Sequence, residues 1–403
     1  MAGSTIDHLF ALTTFLVAYL IFVSLFSQTI QTAILYQRHR QLAVKCSDIL
    51  DNILLTPGIP SNWGETNLIP SSFGLQHPNL GGYTLSPFSV LRLSPLEETV
   101  YYNRTGEWYS NYSLGEGIYL LTPLSSSLNY STVATLLGIN GSYGFQLVVS
   151  PLINVDAQEV NSNPLTIEVY VGSINGPISG ANITCYVYRI YKPEDSDYPA
   201  FTTLIQNAST GEDGKATLQF SGVNVSNEAY VAIIHAFIGY FTSVGYIVKK
   251  TTTNEDIFPL ILNFEERKVM LVHSWDIHNY GPPNPAIFYN ATFFLISESY
   301  ALSEVEIENS TGKVTYGAGK SYNITTIPTF DPGFLIITYR TGNKFGATLM
   351  PWGISSLGVS VTFGELPTNA EWVATDIRLV IINGMPYQVK LALWSLEGYQ
   401  VVE

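Results

Sequence analysis

The densest run of potential ligands is His273-Ser274-Trp275-Asp276-Ile277-His278, two imidazoles and a carboxylate in close succession. In a strand, the odd separation of His273 and His278 puts them on opposite faces. No third His or Cys lies nearby, and a zinc-type site needs three or four converging groups. The segment therefore reads as a strand running into a turn whose aromatics pack on the Pro282-Pro283 loop. Gly317-Ala318-Gly319-Lys320-Ser321 has the ending of a phosphate-binding loop, but Val314 stands where that motif needs its first glycine, so the run reads as a turn between strands. No Gly-x-Ser-x-Gly elbow occurs, and histidines at 8, 39, 77, 235, 273 and 278 offer no Ser/His/Asp arrangement. The acidic pairs Glu97-Glu98, Glu212-Asp213, Glu255-Asp256 and Glu265-Glu266 fall at turns or boundaries. There they read as solvated groups, of the kind that holds Ca²⁺ weakly. A glycosidase would need two carboxylates brought together from distant strands, and nothing points to such a pair. We assign no catalytic residue, no cofactor and no metal ligand, and read the chain as a non-enzyme.

The chemistry that does recur is modification. Asn-X-Ser/Thr acceptors stand at Asn103, Asn111, Asn129, Asn140, Asn182, Asn207, Asn224, Asn290, Asn309 and Asn323. Ten of 26 asparagines lie in such sites, where Ser/Thr frequency alone would give roughly four or five. None lies before residue 100, so everything that could be glycosylated follows one long amino-terminal segment.

That segment positions the rest. Residues 4–56 contain no proline and no glycine, and 9–26 form an uncharged apolar run. The run reads as a membrane-spanning helix. Beyond it the apolar positions Ile30, Ile34, Ile49, Leu50 and Ile53 are set among Gln31, Arg38, Arg40, Lys45, Asp48 and Asp51, so the helix is expected to continue amphipathically. With Leu16, Leu20 and Val23 these are the expected helix-packing residues. At ~1.5 Å per residue the stretch is roughly 75–80 Å long, more than twice a ~30 Å hydrocarbon core. Its second half must therefore meet something other than lipid. Ser4 with Asp7 three residues on predicts a helix start at residue 5 or 6.

The chain has 403 residues and a net charge of −14. Asp7, Asp48 and Asp51 cancel Arg38, Arg40 and Lys45 in the first 56 residues, so the remainder carries all of that charge. An acidic surface excludes nucleic acid as a natural partner. The basic residues after the apolar run would by themselves place that side in the cytoplasm. The sequons and a lysine-poor, Tyr/Thr/Val/Ile-rich composition place the carboxy-terminal bulk outside, and that is the orientation adopted. No basic region precedes the run and no A-x-A pattern follows it. The helix is accordingly expected to be retained, either as an uncleaved anchor or after loss of a short basic leader. Cys46 on the helix and Cys185 in a strand are not expected to pair.

Four regions follow: the helix at 1–56, a connector and first β-rich part at 57–160, a β-sandwich at 164–250 and a carboxy-terminal β domain at 256–403. The recurring prolines of 57–98 predict an extended connector held on the surface of something else. The alternating Thr166-Ile167-Glu168-Val169-Tyr170-Val171, and Ile183, Cys185 and Val187 on one face, predict sandwich strands. Asn383-Gly384 predicts a terminal hairpin whose Tyr387, Val389, Leu391 and Leu393 share a face and close a sheet started before residue 160.

The helix end Ile49-Leu50-Asp51-Asn52-Ile53-Leu54-Leu55-Thr56-Pro57-Gly58-Ile59-Pro60-Ser61-Asn62-Trp63-Gly64 resembles that of archaeal pilin-like and archaellin-related membrane proteins. Leu136-Leu137-Gly138-Ile139, Tyr143-Gly144-Phe145-Gln146-Leu147 and Pro151-Leu152-Ile153-Asn154-Val155 are similar to a strand pattern in the same group, so the resemblance covers residues 1–155. It departs in lacking a basic leader ending in glycine and in its size. The order of strand, Gly-Pro turn, Ala-x-Ile-x-Cys-x-Val and Asp-Gly-Lys-Ala-Thr-Leu over 164–250 resembles immunoglobulin-like or transthyretin-like surface modules. The resemblance implies a subunit of a pilus-like cell-surface filament, assembled with copies of itself through the helix and carrying a glycosylated, adhesive β-rich exterior that meets envelope proteins or glycans. The alternatives are a monomeric single-pass adhesin or surface-layer stalk, and a membrane-tethered enzyme or solute-binding receptor. Under the filament reading, replacing Ile34 and Leu50 together by Asp is expected to abolish filaments in electron micrographs of sheared surface material.

Overall fold

One uninterrupted helix, Ala2–Leu55, carries a body that is otherwise mainly β. The computed structural model describes residues 2–94, 99–111, 114–253, 255–278, 286–296, 302–315, 321–353, 358, 360–368 and 370–396. The helix already contains Ser4, which corrects the expected start after that residue. Once a helix is nucleated each further residue closes another hydrogen bond, and Gly3 opposes this by only about 1 kcal/mol. The helix stops before Pro57, and Gly58 turns the chain away with φ +82°. A Cβ at Gly58 would stand 2.7 Å from the Ser72 carbonyl oxygen, so the turn excludes any side chain.

The helix end rests on a four-stranded antiparallel sheet in the order Val361–Gly364, Tyr143–Pro151, Met385–Ser395, Ala374–Ile382. The last two strands form the expected hairpin. Asn383 and Gly384 both have positive φ, +52° and +75°, as a tight two-residue turn between right-twisted strands demands. Tyr387, Val389, Leu391 and Leu393 are all buried along one face, and the neighbouring strand is Tyr143–Pro151, as expected of a sheet started before residue 160.

Asn154–Ser162, Leu165–Ser173 and Lys215–Phe220 form one sheet; Ala200–Ser209, Asn182–Tyr191, Tyr230–Ile238 and Phe241–Lys249 form another. Ile167, Val169 and Val171 from the first meet Ile183, Cys185, Val187, Ile234 and Ala236 from the second in one core. This is the sandwich that the alternation predicts, with the additional strand Asn154–Ser162 ahead of residue 164. Two further sheets complete the body. One runs through Leu121–Pro123, Ile257–Asn263, Lys268–His273 and Tyr322–Thr326, the other through Ile287–Ile296, Gly333–Thr341 and Lys344–Trp352. Cys46 and Cys185 are free thiols buried in separate cores.

The stretch after the helix, expected as an extended connector held on the surface of something else, is itself part of the core. Trp63, Phe73, Leu75, Leu85, Phe88, Val90, Leu91 and Leu93 are buried in the same core as the helix end. Phe88 and Phe264 pack on Trp352, with ring centroids 5.5 and 5.0 Å from it. Prolines deny this stretch a regular ladder, so its carbonyls need other donors. The Trp63 indole N–H reaches the carbonyls of Pro57 and Gly74, each at 3.0 Å. Buried Arg92 donates to the carbonyl oxygens of Leu68 at 2.8 Å and Ser126 at 2.6 Å, and to that of Trp63, with its guanidinium over the Trp63 ring. A charged donor placed once in the interior satisfies what a sheet would otherwise satisfy.

Replacing Arg92 by Met leaves several buried carbonyls without that donor. We expect a loss of about 3 kcal/mol or more in urea unfolding of the full chain. A variant within 1 kcal/mol of the parent would refute this role.

Candidate functional site

The feature with the largest unmet demand is the helix itself. Residues 7–38 are exposed all round, and first contact with the body comes near His39, whose ring stacks on Trp372 at 4.2 Å. From there Leu42, Cys46, Ile49, Leu50, Ile53 and Leu54 recur at helical spacing and are buried. They face the strands Ala374–Ile382 and Met385–Ser395. The Cys46 Sγ lies 3.5 Å from the Leu391 carbonyl oxygen and 3.7 Å from that of Ala374. Burying each such Leu or Ile contributes ~1.5–3 kcal/mol.

A polar clasp borders this seam. The Arg378 Nε donates to Asp51 at 3.0 Å, and its other nitrogens reach Asp376 at 2.6 Å and the Ser47 hydroxyl at 2.9 Å. Tyr83 donates to Asp51 at 3.2 Å, and Lys45 sits 4.0 Å over the Tyr143 ring. Partial burial opposes ionisation of Asp376, but Ser47, Arg378 and the Ile377 N–H outweigh it and hold the carboxyl below its usual range. Sequence reasoning missed the clasp. Its signal was Asp376 and Arg378 two apart on one strand face, opposite Asp51 at the border of the helix's apolar stripe.

The expected packing residues thus divide. Ile49, Leu50 and Ile53 are used by the protein's own sheet, whereas Leu16, Leu20, Val23, Ile30 and Ile34 are exposed, the last two by 44% and 45%. Beyond its first turns the helix has three segments: apolar 9–26, mixed 27–38 that is exposed, and 39–55 in contact with the body. It is long and apolar enough to cross a membrane. Thr13 and Thr14 turn their hydroxyls onto carbonyls of their own helix, Thr14 to Phe10 at 2.8 Å, which meets the requirement that polar groups in lipid be satisfied internally.

The sequons are spread over turns and strands. Asn103, Asn129, Asn140, Asn182, Asn207, Asn224 and Asn309 are exposed. Asn111 ends the strand Glu107–Asn111. Asn290 and Asn323 are half-buried, and their side-chain amides donate to the Pro199 carbonyl at 3.3 Å and the Tyr289 hydroxyl at 2.5 Å. Asn129 also caps the helix Tyr130–Leu136 through the Thr132 N–H.

The other candidates resolve into structural roles. His273 ends a buried strand, and its Nδ1 accepts the Trp275 N–H at 3.2 Å. The Asp276 carboxylate accepts from Tyr102 at 2.7 Å, Ser321 at 2.9 Å and Arg104 at 3.1 Å. Asp276 and His278 lie in a short helix, Ser274–His278, rather than a turn; residues 279–285, with the Pro282-Pro283 loop, lie outside the described residues. Among the described residues no three His, Cys, Asp or Glu converge as a metal site. Gly317, Gly319 and Lys320 lie outside the described residues, as do Glu97 and Glu98. Asp256 corrects the reading of the acidic pairs as solvated: it is buried, bonded to Lys250 at 2.9 Å and to the Tyr339 hydroxyl at 2.6 Å. An uncompensated buried charge is expensive, and Lys250, six residues away, and Tyr339, from a distant strand, supply the compensation.

A polar cleft of about 370 Å³ opens beside the turn that follows the helix, where 61–65, 77–79, 86–88, 330–332 and Asn383 converge. No family model matches the chain, and no curated protein matches its sequence. Among solved structures, red sea bream transglutaminase aligns at 8% identity over 61% of this chain and 37% of its own, with a TM-score of 0.19. The NIE-MG1 domains of Escherichia coli alpha-2-macroglobulin align at 9% identity over 49% of this chain and 96% of theirs, again at 0.19. A Salmonella alpha-2-macroglobulin aligns at 7% identity over 68% of this chain and 19% of its own, at 0.21. The chain thus spans little more than a third of the transglutaminase.

Because Asp376 titrates below the unfolded value of about 3.9, its stabilising contribution is present above about pH 4 and is lost as pH falls through the folded value. Arg378→Met is expected to weaken the body by about 1 kcal/mol at pH 7. It should also flatten the acid limb of the stability curve, with Glu159, which its contacts with Lys249 and Ser162 hold low against the opposing effect of burial, supplying part of what remains. Urea midpoints of parent and variant at pH 7 and pH 3 check this. An unchanged pH dependence in the variant would contradict it.

Proposed function

We propose that this chain is a structural cell-surface protein, a subunit of a pilus-like filament of the archaeal kind, assembled through its amino-terminal helix with the glycosylated β body outside. The observation that carries the reading is the length of helix left uncovered beyond what lipid needs. Residues 7–38 extend about 48 Å at 1.5 Å per residue, against a hydrocarbon core of ~30 Å. The excess segment still presents Ile30, Ile34, Leu35 and Tyr36 to solvent. Copies of the same helix packed side by side would cover those residues and the apolar run together. Seven exposed sequons on the body fit an exterior that is modified and adhesive.

A second reading, a monomeric single-pass anchor carrying an adhesin or surface-layer stalk, draws support from the docked segment. Since the helix end is already covered by its own sheet, the body needs no neighbour to complete its core.

Leu50 is buried against that sheet, so an Asp there would unfold the junction and say nothing about assembly. The informative variants are Ile30→Asp and Ile34→Asp, which touch nothing in the body. Under the filament reading the pair abolishes regular filaments in sheared surface material while the thermal unfolding of the body stays within about 2 °C of the parent. Normal filaments in the double variant, or recovery of the parent chain only as detergent-solubilised monomers, would overturn the reading.

A further inference from the structure

The exposed apolar residues of the helix include one regular line. Leu16, Leu20, Val23, Ile30 and Ile34 fall at steps of four, three, seven and four, and the same spacing carried on passes Gln37 and Gln41 to reach Val44 and Asp48. Every one of these is exposed. Steps of three and four are the heptad spacing of a helix that packs along another helix, because a repeat of 3.5 keeps one line of side chains facing a coiled neighbour. Val44 lies two residues from Leu42 and two from Cys46, both buried on the terminal sheet. Two residues turn a helix by about 200°, so the line runs down the side that faces away from the protein's own body. It stays open even where the opposite side is docked. At its outer end Gln37, Arg40, Gln41, Val44, Lys45 and Asp48 line one open groove of about 410 Å³.

We propose that a second copy of this chain occupies this line, and that neighbouring copies meet along it one heptad out of step, with Arg40 of one beside Asp48 of the next. The proposal rests on the filament reading and gives that contact its face and its register. Charge selects the register. Copies anchored in one membrane run parallel, and in step they would set Arg40 against Arg40 and Asp48 against Asp48, which like charges oppose. Sliding one copy by one heptad, ~10 Å along the axis, brings Arg40 level with Ser47 and Asp48 of its neighbour, and Gln41 level with Asp48. A guanidinium and an amide donor then meet a carboxylate. Within one copy Arg40 and Asp48 stand ~12 Å apart along the helix, too far to pair. The neighbouring charges are engaged inside the chain: Lys45 lies 4.0 Å over the Tyr143 ring, and Asp51, next in the line, is held by Arg378 at 3.0 Å. Lipid in this place would leave Gln37, Gln41 and both charges without polar partners. A contact out of step is heterologous, so a copy that accepts one neighbour offers the same groups to another, and growth does not close at a pair.

The test is disulfide formation in sheared filaments of the full chain, oxidised with copper phenanthroline. Cys46 and Cys185 are buried, so the parent is expected to give no cross-link. Gln37→Cys and Val44→Cys change exposed positions one heptad apart, ~10 Å within a helix and beyond the reach of a disulfide, so they meet only between copies out of step. Combined in one chain they are expected to give a ladder of covalent oligomers on non-reducing gels, and either alone is expected to give monomer. Dimers from the single variants would place copies in step, and intact filaments without a ladder would mean another face or another partner. Each of these results overturns the proposal and leaves the filament reading standing. Charge exchange decides the matter if the cysteine pair fails to assemble. Arg40→Asp and Asp48→Arg are each expected to lower filament yield about tenfold, and the two together to restore it to within about twofold of the parent. A double exchange that restores nothing overturns the proposed register. A parent recovered only as monomers overturns the filament reading and this contact with it.

Discussion

The architecture depends on one seam, the packing of helix residues 42–54 on the terminal hairpin. The sheet beneath the helix takes strands from 143–151, 361–364, 374–382 and 385–395, so the seam cannot form until segments more than two hundred residues apart have met. The sandwich, with a core of its own, and the sheet through Ile287–Ile296 lie in the sequence between those strands, while the remaining sheet also takes Leu121–Pro123 from ahead of them. Closure entropy rises slowly with loop length, so so large an insertion is tolerated thermodynamically, although distant pairings of this kind are slow to find. Once closed, the seam makes helix and body one unit, with the Asp51–Arg378 clasp setting the rotation of the helix on the sheet.

This explains why the irregular stretch after the helix is buried. The chain leaves Leu55 at the edge of the seam and must turn back over the end of the hairpin. Leu85 donates its N–H to the Ile381 carbonyl, and Ile381 donates to that of Tyr83, so the stretch also pairs with the outer edge of the strand Ala374–Ile382. An edge strand left open invites pairing with another chain, and here part of it is capped by the protein's own connector. Arg92 and Trp63 are the groups that make an irregular, proline-rich backbone acceptable at that depth.

What was legible in the sequence was what repeats. The apolar run of the helix, the period-two alternation of Ile167, Val169 and Val171, and the Asn383-Gly384 turn each state their geometry locally. The connector has no period, and its prolines argue for the surface when read alone; its burial is visible only once Trp63 is seen donating two hydrogen bonds to backbone carbonyls. Asp256 looked like a turn carboxylate because Tyr339, which holds it, lies 83 residues away. The cleft was illegible for the same reason, since Glu65, His77 and Asp331 come from segments that share no motif. The expected helix-packing residues are all apolar, and sequence alone could not divide those used within the chain from those left exposed.

That division bears on how copies could approach one another. The body carries the whole negative charge, whereas the helix is neutral over its first 56 residues. Bodies brought together would repel, with the repulsion screened beyond a Debye length of about 8–10 Å at physiological salt. Helices brought together would not. An assembly that places helices at the axis and bodies at the periphery keeps apolar surface covered while letting like charges spread outward. In a single-pass anchor the same charge would serve only solubility, and residues 27–38 would lie in water with Ile30 and Ile34 uncovered. The charge distribution and the uncovered segment therefore both support the proposed filament over the single-pass anchor.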